Sequence, residues 1–172
     1  MNVPEKLINF RVYNEGGDLL GLADVTLPNF ESMTETIKGA GLAGEIDSPV
    51  VGHYNSMEVE FNWRTLYQAN LTFVAPKSFT FDLRGANQVK DSNSGDYIIQ
   101  PVKLVIRCVP KNTETGKLDV GTLSDTKNTF EVDYIKISID GDERVELDKY
   151  NYICKIDGVD YLSEVREALG LV

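Results

Sequence analysis

Histidine, tryptophan and cysteine are scarce in this sequence: His53, Trp63, Cys108 and Cys154 are the only ones among 172 residues. One imidazole and two distant thiols make no recognisable metal-ligand spacing, so a zinc centre is excluded and no cofactor is expected. Two cysteines are too few for a disulfide framework; both lie in apolar-patterned segments and read as small buried hydrophobes kept as thiols. Positive charge is short as well, with 17 Lys and Arg against 27 Asp and Glu and a formal net charge of −10. Such a surface repels phosphates at close range, which sets aside proteins that read DNA or RNA sequence. Long apolar runs are missing. Tyr97-Ile98-Ile99 is typical of the longest, far below the roughly 20 residues of a spanning helix. Met1 to Lys6 lacks a basic start followed by an apolar run, so no secretory signal is expected. These absences describe a soluble protein made in the cytoplasm, and a hydrophobic content of 42% suffices for one domain spanning residues 1–172.

What the sequence does have is strict alternation. In Met57-Glu58-Val59-Glu60-Phe61-Asn62-Trp63-Arg64 every odd position is apolar and every even one polar, the pattern of a strand with one face in a core. Phe79 to Arg84 and Val102 to Cys108 repeat it. Between Phe130 and Asp140 the apolar phase switches from Phe130, Val132 and Tyr134 to Ile135, Ile137 and Ile139, and one extra residue near Tyr134 accounts for that. Asp140-Gly141-Asp142 makes residues 130–150 a hairpin, and Asn14 to Asp18 joins Leu7–Tyr13 to Leu19–Leu27 as another, ended by Pro28. Asp160 caps a terminal helix in which Tyr161, Leu162, Val165, Ala168 and Leu169 follow helical spacing and Gly170 supplies the stop. Thr65 to Leu71 is a shorter helical candidate. The expected architecture is mainly β: about seven or eight strands in an antiparallel sandwich or barrel-like domain, with a short C-terminal helix.

Residues 30–55 and 110–128 read instead as long loops, uncommon in a regular domain unless functional. The first carries Met33, Ile37, Leu42, Ile46, Val50 and Val51 beside several glycines, too many apolar groups for a solvated loop. They need a surface to bury against, and another subunit is the natural candidate.

Enzyme constellations are weak. Gly39-Ala40-Gly41-Leu42-Ala43-Gly44 matches the glycine spacing of a dinucleotide motif without its strand and helix, and reads as a subunit-contacting loop. His53 has no nucleophile beside it in a strained turn. Glu58 and Glu60 share a strand face, as pairs among so many acids do by chance. Asp140 to Glu143 lacks the ligand count of a calcium loop. Trp63, Phe61, Phe79 and Phe81 would make a sugar platform, but they fall on the apolar phase of their strands. No catalytic site is expected, and what remains is a self-assembling or partner-binding β-protein.

The order of features resembles the major tail tube protein family of contractile-tailed phages and R-type bacteriocins along nearly the whole chain. The C-terminal third carries it best: Glu131-Val132-Asp133-Tyr134-Ile135-Lys136, Ile139-Asp140-Gly141-Asp142, Val145-Glu146-Leu147-Asp148, Asn151, Ile156-Asp157-Gly158-Val159-Asp160 and Arg166-Glu167-Ala168-Leu169-Gly170-Leu171. Pro4 to Asn14, Leu27-Pro28, and the Lys38–Asp47 run followed by the Met57–Trp63 strand match the family's order; residues 84–97 match least. The resemblance implies a structural subunit of a tail-tube fold. Six copies would close a ring, and rings would stack into a hollow tube inside a contractile sheath. The implied partners are further copies of the chain, the sheath protein, baseplate and tail terminator proteins, a tape measure protein in the lumen during assembly, and DNA as passing cargo in a phage. The place of action would be a virion tail or bacteriocin particle after synthesis in a bacterial host. On this reading Met33, Ile37, Lys38, Gly39, Leu42, Gly44, Ile46, Val50 and Val51 contact neighbouring subunits. Glu58, Glu60, Asn62, Arg64, Thr80, Asp82 and Arg84 are candidates for the lumen, where acidic charge would let DNA pass without sticking. The alternatives are a monomeric carbohydrate- or protein-binding β-sandwich and the related tube protein of type VI secretion systems.

Overall fold

Alternating apolar residues become strands over most of residues 1–18 and 21–171, which the computed structural model describes. In chain order the elements are β1 (Asn2–Asn14), β2 (Gly17–Asp18), β3 (Leu22–Thr26), β4 (Ser32–Lys38), β5 (Glu45–Tyr54), β6 (Glu58–Trp63), α1 (Gln68–Thr72) and β7 (Phe79–Asp91). They continue with β8 (Tyr97–Glu114), β9 (Thr126–Ile139), β10 (Asp142–Asp148), β11 (Ile153–Ile156), β12 (Val159–Asp160) and α2 (Ser163–Ala168). One antiparallel sheet runs β12-β11-β10-β9-β8-β7-β1-β2, with β6 also on β9 and β3 on β6; β4 and β5 pair only with each other. The mainly β expectation holds, but the sheet is open and forked, not a closed barrel.

The fork is the predicted bulge. Arg107 of β8 faces Tyr134 and the next residue, Cys108, faces Val132, so Asp133 is the extra residue in β9. Below it β9 pairs with β6, from Glu131 to Thr126; above it the same edge pairs with β10, from Tyr134 to Ile139. Val132, Phe130 and Asn128 therefore point inward before the bulge and Ile135 after it. Arg107 straps the fork: its Nε donates to Asp133 at 2.7 Å and its Nη2 to Asp148 at 3.4 Å, while the guanidinium carbon lies 5.4 Å from the Tyr134 ring centroid.

The core lies between the β6–β9 branch and the β7–β8–β10 body. Phe61, Phe81 and Phe130 are fully buried, with centroid separations of 4.7 to 5.4 Å at tilted or edge-on angles that aromatic pairs favour. The short helix α1 is tied in through Asn128, whose Oδ1 accepts from Trp63 Nε1 at 2.8 Å and from Asn70 Nδ2 at 2.7 Å. Burial of Phe61, Phe81 and Trp63 removes the aromatic sugar platform. Cys108 and Cys154 are buried free thiols, as expected, and burial pushes both thiol pKa values up.

Several local expectations change. Residues 30–55 are not a loop but the β4–β5 hairpin; their alternation was hidden by glycines that occupy only the hairpin tip and one bend. The 110–128 loop shrinks to residues 115–125, because β8 runs on to Glu114 and β9 begins at Thr126. The segment after Asp18 does not fold back on β1: β3 crosses to β6 instead, and Leu19 and Leu20 lie outside the described residues. β7 runs on past Arg84 to Asp91 and β8 begins at Tyr97, ahead of Val102, so the two form a long ribbon. Their prolines are placed where a missing N–H costs little. Pro101 sits where β9 ends, and Pro110 beside a register shift. At the C-terminus Asp160 accepts the Leu162 N–H at 3.1 Å and pairs with Arg166 at 2.5 Å, so it braces the turn before α2 and is not the helix N-cap, which is Leu162.

Arg107→Ala is expected to destabilise the chain by about 1–3 kcal/mol, because it strips charge-assisted hydrogen bonds from two carboxylates; chemical denaturation measures this. The Arg166 guanidinium holds the Asp160 carboxyl below its ordinary pKa. Its contribution to stability is therefore full above the ordinary carboxylate range and lost as pH falls through the lower folded value. The melting-temperature gap between wild type and Asp160→Asn should be widest at neutral pH and close on acidification.

Candidate assembly surface

The β4–β5 arm is an amphipathic ribbon. Glu35 faces Ser48 and Ile37 faces Ile46 across the pair, so by the two-residue period of strands Glu35 and Ser48 share one face with four apolar residues, Met33, Ile37, Ile46 and Val50. All four are 43–53% exposed. The opposite face is polar, carrying Thr34, Thr36, Lys38, Glu45 and Asp47, with Thr36 Oγ1 donating to Asp47 at 2.8 Å. Lys38, Gly39, Leu42 and Gly44 occupy the tip, where Gly39 and Gly44 have φ of +127° and +134°. These are conformations that a side chain would strain. The glycine motif thus joins two antiparallel strands and leads into no helix. Val51, 62% exposed, sits in the bend at the base. Isolated two-stranded ribbons are marginal in water, and this one leaves its apolar face uncovered.

The seven polar residues expected at a lumen form two patches separated in strand order by β9 and β8. On β6, Glu58 pairs with Lys111, which also lies 3.6 Å from Glu131. Glu60 lies 3.7 Å from Lys127, and Asn62 donates to Asp24. Arg64, exposed, follows the strand. On β7, Arg84 pairs with Asp82 at 2.9 Å and lies 5.2 Å from the Tyr13 ring centroid; Lys103 is 3.7 Å from Asp82. Thr80 is exposed beside them. The Glu58 carboxylate raises the Lys111 pKa and Asp82 raises that of Arg84. Both patches are thus charge-compensated, and the acidic excess lies elsewhere on the chain.

Two further features were not singled out in the sequence. The edge of β1 away from β7 is unpaired from Asn2 to Val12 among the described residues. Val3, Leu7 and Ile8 on β1 and Tyr97, Ile98 and Ile99 on β8 are exposed. The Tyr97–Ile99 run was the available signal. A long, apolar, unpaired edge is a template for pairing with another chain.

The chain thus combines an open sheet, a β1 edge that is free among the described residues and an amphipathic ribbon outside the main sheet. The sequence profile of the phage tail tube protein FII family matches residues 4–170. The chain belongs to that family. A curated relative, the tail tube protein of Escherichia phage P2, is 28% identical over 181 aligned residues, covering 99% of this chain and 100% of the relative. Among solved structures, the sheath/tube terminator of the extracellular contractile injection system PVC, in its extended state, aligns with a TM-score of 0.53 at 11% identity. The alignment covers 78% of this chain and 96% of the terminator, and it shows a shared fold. The tail-tube family is structural, not enzymatic.

In the tail-tube chain studied alone, amides of the β4–β5 arm are expected to exchange with solvent orders of magnitude faster than those in the centre of β8 and β9, since local stability follows buried apolar contact. Hydrogen-exchange mass spectrometry measures this; equal protection of arm and core would contradict the uncovered-face description.

Proposed function

We propose that the whole chain, residues 1–172, is the tube subunit of a contractile injection machine, with six copies closing a ring and rings stacking into a rigid tube. The observation that carries this is the arm: a ribbon with an apolar face that no described residue of its own chain covers. Met33, Ile37, Ile46 and Val50 would bury that face against neighbouring copies, with Val51 at its base and Lys38, Gly39, Leu42 and Gly44 at the reaching tip. Head-to-tail contacts of this kind close rings or extend filaments, and ring closure would also occupy the free β1 edge.

In this reading the patches around Glu58, Glu60, Asn62 and Arg64 and around Thr80, Asp82 and Arg84 include lumen-facing groups. Their internal pairing gives a wall with a short-ranged field, while the net charge of −10 provides overall repulsion of DNA. The sheath protein would cover the outside, baseplate and terminator proteins the two ends, and a tape measure protein the lumen during assembly. The particle would puncture a target envelope and, in a phage, conduct the genome. The P2 relative supports the phage setting. A monomeric sugar-binding sandwich gains no support from aromatics that lie in the core.

Sedimentation velocity and negative-stain microscopy test the assembly. Wild-type chain should form rings or tubes as concentration rises. The Ile37→Asp/Ile46→Asp variant should stay monomeric with an unchanged melting temperature, because neither side chain packs in the core. Wild type that stays monomeric under every condition, or a variant that assembles as well as wild type, would overturn the proposal.

A further inference from the structure

The base of the arm is bent and seated. Ser32 faces Tyr54, yet the next paired positions are Thr34 and Pro49, so the four residues from Val50 to His53 bulge opposite Met33. Within the bulge Gly52 adopts φ +64°, and a Cβ there would lie 2.7 Å from both Cγ and Cδ2 of Leu162 and 3.0 Å from its Cδ1. Leu162 is 3% exposed and belongs to the main core. It is held by the Asp160 turn, and Arg166 fixes that turn by pairing with Asp160 and donating to the Tyr152 carbonyl at 2.7 Å. Around this point the two ends of the arm are gathered. Asn55 N–H donates to the Glu31 carbonyl at 2.8 Å, and the Phe30 and Tyr54 rings meet edge-on at 5.7 Å. Lys149 Nζ donates to the Asn55 carbonyl at 2.9 Å.

We propose that Leu162 seated against Gly52 is a locating pin: the C-terminal turn fixes the angle at which the β4–β5 arm leaves the body, before the chain meets any other copy. Two independent requirements converge on Gly52, a left-handed backbone and room for a buried leucine, and only glycine meets both. The pin is a property of the single chain. Its consequence for assembly rests on the proposed role of the arm: a pre-aimed arm loses less orientational freedom on docking, so association is stronger than with a swinging one. It also couples the C-terminal helix to the arm, since any displacement of Leu162 releases the seat.

Dipolar electron-spin spectroscopy on the isolated full chain tests this, with nitroxides on Thr36→Cys in the arm and Thr80→Cys on β7, the two native thiols being buried. The parent chain should give a narrow distance distribution, and Gly52→Val a broadened or shifted one. Gly141→Val is the control: its φ is +83° with no atom within 4 Å of the added Cβ, so it carries backbone strain without touching the pin and should leave the distribution unchanged. Leu162→Ala removes the pin from the other side and should broaden the distribution as well, which keeps the test open if Gly52→Val fails to fold. A parent-like distribution in whichever of these two variants folds overturns the pin, as does an equal broadening in Gly141→Val. Broadening in a chain whose parent forms no tubes upholds the pin while removing the tube reading.

Discussion

The fold depends on one inserted residue, Asp133, and on the arginine that holds it. Without the insertion β9 would keep one phase past Tyr134, and Ile135 would point away from the core. With it, the same edge serves β6 below and β10 above, and the side chains on either side of the bulge still reach one core. Arg107 ties the bulge to the Asp148 turn, so the point where the sheet divides is also where the body and the C-terminal segment are joined. The β11–β12 turn and Leu162 follow from there, and the base of the arm follows from Leu162. A local irregularity thus propagates outward to the surface that the chain offers to others.

That surface is unfinished in a specific way. The body buries Phe61, Phe81 and Phe130 completely, while the arm and the distal β1–β7–β8 ribbon expose apolar side chains that the described residues leave uncovered. A monomer selected to remain one would blunt a free strand edge and shorten or charge such a ribbon. Here charges are instead grouped in compensated pairs on β6 and β7. The chain belongs to the tail-tube family, and in the proposed tube these exposed faces are where copies of the chain would meet.

Much of the body was legible in the sequence. The Met57–Trp63 alternation, the phase switch near Tyr134, the Asp140-Gly141 turn and the terminal helix are local signals, and the structure places each as read except that the helix begins at Ser163, after Asp160, Tyr161 and Leu162. The arm was not legible as strands. Glu35 interrupts the apolar phase of Met33 and Ile37, Gly39, Gly41, Gly44 and Gly52 dilute it further, and the meaning of the glycines depends on where the chain turns. The apolar residues of that segment were nonetheless recognised as needing cover. The crossing of β3 to β6 was missed because a turn at Asn14–Asp18 reports only that the chain reverses, while the choice of partner is non-local. The ribbon beyond Arg84 was missed because Gly85, Ala86 and Pro101 are poor strand formers, tolerated where neighbouring strands end or where Leu7 needs space against Gly85.

In the proposed tube the apolar face of the arm is covered by another copy of the chain. A cryo-electron microscopy reconstruction of the assembled chain reads this directly. The account predicts density in which Met33, Ile37, Ile46 and Val50 are buried against a neighbouring subunit, with the arm leaving its body at the angle set by Leu162. An assembly in which that face points into solvent, with the contacts made elsewhere, would contradict it.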